Sequence, residues 1–307
     1  MSAKDLSIVI PSRNEMFLAK TIESILENIE ADTEVIAVLD GEWADPPVPQ
    51  HERVNVIYVN KSIGQRAGQN LAVRLSKAKF VMKVDAHCAF DKGFDRKMIE
   101  GFKDKEDCVM VPVMRNLHAF NWKCSCGWSL YQGPTPDKCP KCGLKPEREM
   151  IWQPRRGTHS VSYCFDSEPH FQYFGEWTNT ETYKEQLKTG FTETMSLQGS
   201  CFMSTRENYW NYELCDETLG NWGNQGMEIA LATWLTGHKV LVNHNTWYAH
   251  MFRTQGGDFG FPWPAGGKET QKTKDNVRDK YWNFKHSKQI YPVDWLVNRF
   301  APVKGWK

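Results

Sequence analysis

Apolar positions in the first third of the chain switch repeatedly between two spacings. Residues 6–10 form a short apolar run ended by Pro11, and Leu18, Ile22, Ile25, Leu26 and Ile29 then recur at helical spacing. Ser12 and Glu15 stand ahead of them at the separation of a capping box. The pattern predicts strand, turn and amphipathic helix. Residues 35–39 make a second apolar strand ending in Asp40-Gly41, residues 54–59 a third, and residues 80–84 a fourth that ends in Asp85. A helical stretch from Gly64 carries Leu71, Val73 and Leu75 between the last two. Strands alternating with helices at this spacing predict an α/β fold with a mostly parallel, doubly wound sheet. Ligands of such sheets lie outside the carboxyl ends of the strands, where Asp40 and Asp85 both fall.

Periodicity vanishes over residues 116–150, where Cys, Lys, Pro and Gly rise. A strand at 108–113 precedes the break, so the segment reads as an inserted module. Beyond it come an aromatic-rich stretch (Tyr163, Phe165, Phe171, Tyr173, Phe174, Trp177), a helix around 228–235 and a strand at 239–242. A glycine-rich loop at 256–267 has the character of a mobile lid.

Composition then narrows the class. A chain of 307 residues with 40% hydrophobic content can bury one large core, and a formal charge of +1 argues against a uniformly basic nucleic-acid coat. The start has neither a basic leader nor a long apolar segment, and no later stretch reaches the roughly 18 apolar residues of a span. The expectation is a soluble, cytoplasmic chain with no membrane contact. There, nine cysteines are thiols or metal ligands and not a disulfide framework. Four of them form two knuckles, Cys124-Ser125-Cys126-Gly127 and Cys139-Pro140-Lys141-Cys142-Gly143, which predict a closed, structural Zn²⁺ site. Lys138, Lys141, Lys145, Arg148, Arg155 and Arg156 lie around it, with Trp152 among them. That mixture suits a phosphate backbone with a stacked or flipped base, although the solvated face of a small zinc ribbon has the same composition.

Asp85-Ala86-His87 places a carboxylate and an imidazole on one side of the chain. Together with phosphate oxygens they suit Mn²⁺ or Mg²⁺. A strand-end Asp capping the next turn explains the pair equally well in isolation. Three separated runs change the weighting: Val84-Asp85-Ala86-His87-Cys88; Trp222-Gly223-Asn224-Gln225-Gly226-Met227-Glu228 followed by Trp234 and Gly237; and His250-Met251-Phe252-Arg253. In this order they resemble the polypeptide N-acetylgalactosaminyltransferases. The opening Ile8-Val9-Ile10-Pro11-Ser12-Arg13-Asn14-Glu15, with Asp40, is similar to the wider family 2 glycosyltransferases.

The resemblance implies a GT-A fold in which residues 1–115 bind the nucleotide-sugar and 151–255 form the acceptor half. Residues 116–150 are then a zinc-ribbon insertion, and 256–307 a lid loop and C-terminal segment. It also implies a cation held by Asp85, His87 and His250, with Asp40 near the base or ribose of a UDP-sugar. Arg253 would meet the diphosphate, Trp222 the sugar, and Pro11, Arg13, Glu15 and Arg66 the rest of the donor. One departure bears on mechanism: the first acid of the Trp-Gly motif is Gln225 here, while Glu228 keeps the second. A glutamine cannot take a proton, so Gln225 points towards retention, in which a leaving phosphate oxygen serves as base. Inversion would need Glu228 or Asp216, and Glu228 also suits the first turn of a helix with no catalytic part. The expected activity is hexosyl or N-acetylhexosaminyl transfer to a hydroxyl. The zinc module with its basic rim makes a hydroxymethylated base in DNA the expected acceptor. Protein Ser/Thr or a carbohydrate is the alternative, as is a catalytically inactive zinc-ribbon nucleic-acid-binding protein.

Overall fold

The computed structural model describes residues 4–252, 263 and 267–306. The first half of the fold runs β1 (Leu6–Ser12), α1 (Leu18–Asn28), β2 (Thr33–Asp40), β3 (Val54–Val59), α2 (Gln65–Leu75), β4 (Phe80–Val84), β5 (Cys88–Phe90) and α3 (Phe94–Gly101). It continues through β6 (Cys108–Lys123), β7 (Ser129–Tyr131), β8 (Glu147–Pro154), β9 (Tyr163–Phe165), β10 (Phe171–Tyr173), α4 (Gly175–Thr178) and α5 (Glu181–Leu187). The last elements are β11 (Phe191–Glu193), β12 (Cys201–Thr205), α6 (Arg206–Asn211), α7 (Gln225–Trp234), β13 (Lys239–His250), α8 (Gly267–Trp282) and α9 (Val293–Phe300).

The main sheet has the order β11-β13-β6-β12-β4-β1-β2-β3, with β5 on β13 and both β7 and β8 on β6. Alternate residues of β1 and β2 point to opposite sides. Ile8, Ile10 and Leu39 meet Leu18, Ile22 and Ile25 of α1, whereas Val9 and Val38 meet Ala72 and Val73 of α2. Helices therefore cover both faces, and each such buried aliphatic side chain stabilises the fold by about 1.5–3 kcal/mol. Strands β4, β1, β2 and β3 are parallel, as are β6 and β13. Between these blocks β12 runs antiparallel to β4, so the sheet is mixed where a mostly parallel one was expected. The cause is local: the loop before β12 lies at the carboxyl edge, where Ser200 accepts a hydrogen bond from the Asp85 amide at 2.8 Å. A strand leaving that edge must run backwards.

Two other expectations change. No capping box forms, because Ser12 ends β1 and α1 begins at Leu18 with Phe17 as its uncapped N-cap residue. Nor does the sheet stop where the insert starts. Strand β6 passes through position 116 and pairs with β8 from Leu117 to Lys123. The inner face of the insert, with Leu117, Phe120 and Trp122, packs on Phe17, Ala89, Ala249 and Met251 of the main body. None of the described helices is long and apolar enough to cross a membrane.

Candidate active site

Strand β1 leads to β2 and β3 on one side, and the chain then returns to place β4 on the other. The crevice at that switch lies beyond the carboxyl ends of β1 and β4. Pro11 and Glu15 reach it from β1, and Asp85 and His87 follow β4. Strand β13 points the same way as β4 and ends on His250, whose register partner on β5 is Cys88. Asp85, His87 and His250, remote in sequence, thus converge, with one ligand atom from each lying within 4.8 Å of the others. They line a cavity of about 370 Å³ together with Trp222, Gln225 and Met227.

The electrostatics suit a cation. Asp85 lies well below the carboxylate range: burial opposes this, but the Lys83 ammonium overrides it, aided by the two histidines. Lys83 is itself buried on β4 and bonds both Asp85 and the Gly199 carbonyl. Burial pushes His250 down to about 4, against the pull of Asp85, so its ring is neutral at physiological pH. Its Nε2 stands 3.4 Å from Asp85 Oδ2, and among the described residues neither ring nitrogen meets hydrogen-bond geometry. A buried imidazole with two unsatisfied nitrogens is costly unless something else takes a lone pair, as a metal ion does. Glu15 Oε2 lies 3.4 Å from His87 Nδ1, the arrangement by which a carboxylate orients a metal-binding imidazole.

Other expected residues take different positions. Pro11, Glu15, Trp222 and Gln225 line the cavity. Gln225 gives its amide to Gln69 at 2.8 Å, and its Oε1 is buried without a partner, as is Asn224 Nδ2. Asp40 is fully buried, its carboxylate accepting from Ser62, the Ile63 and Gly64 amides and the Trp263 indole at 2.7–2.9 Å. It therefore shapes the loop after β3. Arg13 bonds the Asp40 carbonyl at 2.9 Å.

Arg66 and Glu228 face each other, and neither is among the described residues lining the cavity. The guanidinium meets Glu228 at 2.8 Å and the carbonyls of Gly220 and Gly223 at 2.8 and 2.7 Å, with both side chains essentially inaccessible. Burial pushes the Glu228 carboxyl up against the pull of Arg66, and the Asp216 amide also donates to it. Asp216 bonds Lys280 at 2.7 Å, away from the cavity lining. A charge pair this buried must satisfy itself internally. Arg253 and most of the expected lid loop lie outside the described residues.

Sequence reasoning missed three contributors. Lys83 had a signal, a lone charge inside an apolar strand. Phe171 at the cavity mouth stood unnoticed in an aromatic-rich stretch. Gly226 had no signal: a Cβ there would meet the Leu197 carbonyl oxygen at 2.0 Å and the Gly199 nitrogen at 2.7 Å. Only glycine lets α7 approach the loop that braces Asp85.

A second cluster lies in the insert. Cys124 and Cys142 have sulfurs 3.4 Å apart, and Cys126 and Cys139 3.6 Å. All four sulfurs lie within 4.8 Å of one another. A zinc–sulfur distance of ~2.3 Å gives tetrahedron edges of about 3.8 Å, close to this spacing. Gly127 and Gly143 turn the two knuckles at φ of 83° and 77°, and their amides bond the Cys124 and Cys139 carbonyls.

Residues 7–126 match the Glycosyl transferase family 2 domain. Across 95% of its length the chain is 20% identical to the putative polypeptide N-acetylgalactosaminyltransferase 13 of Drosophila melanogaster, covering 48% of that protein. A crystal structure of GalNAc-T7 with UDP, GalNAc and Mn²⁺ superposes on 97% of this chain with a TM-score of 0.67 at 15% identity, over 57% of its own length. The chain thus spans about half the length of the relatives it matches, and it shares their GT-A fold.

Proposed function

We propose that this protein is a glycosyltransferase that moves a sugar from a UDP-sugar to a hydroxyl, with Mn²⁺ or Mg²⁺ held by Asp85, His87 and His250. The observation that carries the reading is the convergence of these three side chains at the switch point, with both nitrogens of His250 unsatisfied. When bound, the cation would offset negative charge on the departing diphosphate. Lys83 keeps Asp85 ionised, Glu15 orients His87, and Trp222 with the free amide atoms of Asn224 and Gln225 faces the donor sugar. In the transfer, the acceptor oxygen bonds to the anomeric carbon, the bond from that carbon to the diphosphate oxygen breaks, and the acceptor proton must leave. Among the described lining residues the only carboxylates are Glu15 and Asp85, both in the cation cluster. With Glu228 and Asp216 engaged elsewhere, the leaving phosphate oxygen is the remaining base and the anomeric configuration is retained.

In the insert, four thiolates with no open position suit a structural Zn²⁺. The basic residues around it support a DNA acceptor less than their sequence positions suggest. Arg148 lies over Phe120 and Trp122, Arg155 over Tyr131, and Lys141 bonds the Cys126 carbonyl. The test is mass-spectrometric detection of UDP released from UDP-hexoses and UDP-N-acetylhexosamines with Mn²⁺. Release should stop in EDTA and in Asp85→Ala. Release unchanged by either would overturn the reading.

A further inference from the structure

Strands β9 and β10 form a small sheet of their own, standing apart from the main one. Phe171 and Tyr173, two positions apart on β10, share one face of it. Both rest on the buried ring of Tyr163, with centroids 5.4 and 5.9 Å away, and meet each other at 75°. They are nevertheless 37% and 56% exposed, and Phe171 lines the mouth of the cation-site cavity. The Tyr163 hydroxyl donates to the Ser160 carbonyl, which fixes the ring beneath them, and Gln198 also lines the cavity. Two large rings packed on a buried third yet left in solvent, one of them lining the cavity, are a contact surface and not a fragment of core.

Charge selects the occupant. Among the described residues lining the cavity there is no Lys or Arg, and every ionisable one belongs to the Asp85 cluster. The turn between β9 and β10 carries Asp166 and Glu168, and Glu176 follows β10. Glu168 is paired with Arg278 and Asp166 with His170, so beyond the Asp85 cluster the described lining offers no cationic side chain to a second anionic ligand. A neutral ring fits, with C–H groups on one face to lie on an aromatic surface and hydroxyls at its edge to bond amides such as Gln198.

We propose that Phe171 and Tyr173 form an acceptor platform for a neutral sugar ring, which makes the acceptor a carbohydrate hydroxyl. The assignment rests on the transferase reading above. It is tested first by binding: saturation-transfer NMR with methyl glycosides of glucose, galactose and N-acetylglucosamine, in the presence of UDP and Mn²⁺. At least one glycoside should take up saturation on one ring face, and the signal should vanish in Phe171→Ala/Tyr173→Ala while UDP affinity stays unchanged. In turnover, each single alanine should raise KM for the sugar on the order of tenfold with kcat little altered, and Tyr173→Phe by a smaller factor. UDP binding without contact to any glycoside overturns the platform and leaves the transferase reading intact. So does transfer to a Ser/Thr peptide or to hydroxymethylated oligonucleotide with the sugars untouched. Failure to bind UDP at all defeats the parent reading instead.

Discussion

The two clusters of metal-ligating side chains are assembled by opposite means. Asp85 and His87 follow one strand and His250 ends another far along the chain, so only the finished sheet can bring them together. Cys124, Cys126, Cys139 and Cys142 sit on two knuckles of one short segment, with little apolar core beneath them beyond the face that packs on Phe17. The first cluster is set in place by the fold alone. The second, under the zinc reading proposed above, would depend on its ion to fold. Rigid preparation suits a site that must stabilise developing charge without reorganising, whereas a closed thiolate knot serves as a staple.

The largest expected effect lies in the staple. Binding of a structural Zn²⁺ is worth about 10–16 kcal/mol in small modules, so stripping it or making Cys124→Ser/Cys139→Ser should unfold residues 124–146 outright. Hydrogen exchange would show protection lost there and kept in β1, β2 and β4. Loss of protection through the main sheet would show that the staple supports both regions.

Next comes the framework beside the prepared site. Removing one partner of a buried ion pair costs about 3–5 kcal/mol, so Arg66→Ala should lower the main denaturant midpoint steeply while zinc content stays at one per chain. A mild effect, within about 1 kcal/mol, would mean that water reaches Glu228 and that its carboxylate is available to substrate after all.

The same contrast explains what could be read in advance. Alternating apolar strands and a helix-period face at Leu18, Ile22 and Ile25 carry their own geometry, and so do the cysteine knuckles. The convergence of His250 on Asp85 does not: no local pattern encodes it, and only the resemblance of three motifs pointed there. The pairing of Arg66 with Glu228 could not be read in advance either, because the two lie 162 positions apart and only the fold buries them together. The reversed strand β12 escaped notice because direction follows from where the loop at Ser200 is anchored, and that anchor is a backbone bond to Asp85. Phe171 needed the third dimension to separate it from its aromatic neighbours.

At the prepared site the sign of a stability change distinguishes a ligand from a packing residue. His250→Leu removes two unsatisfied buried nitrogens, so without metal the protein should melt at the same temperature or higher. Turnover should fall on the order of 10²–10³-fold, the usual loss when one electrostatic stabiliser is removed. A clear drop in metal-free Tm would mark His250 as structural.

The smallest effect tests the framework by pH. The Asp216 carboxyl lies below its ordinary value of 3.8: partial burial opposes this, but bonds from Lys280 and Thr218 prevail. A carboxyl depressed in the folded state stabilises it above the unfolded pKa, and that contribution disappears as pH falls through the lower folded value. Lys280 is buried, but the Asp216 side of the pair stays partly open to solvent, so screening holds its worth to about 1 kcal/mol. Asp216→Asn should therefore lower the urea midpoint slightly at pH 7, and the gap to the unmodified protein should close as the pH is taken below the ordinary carboxylate range. The Asp216 amide also donates to Glu228, a backbone bond the substitution leaves in place. A gap that persists in acid would therefore trace to altered packing around Glu228 and not to the Lys280 pair.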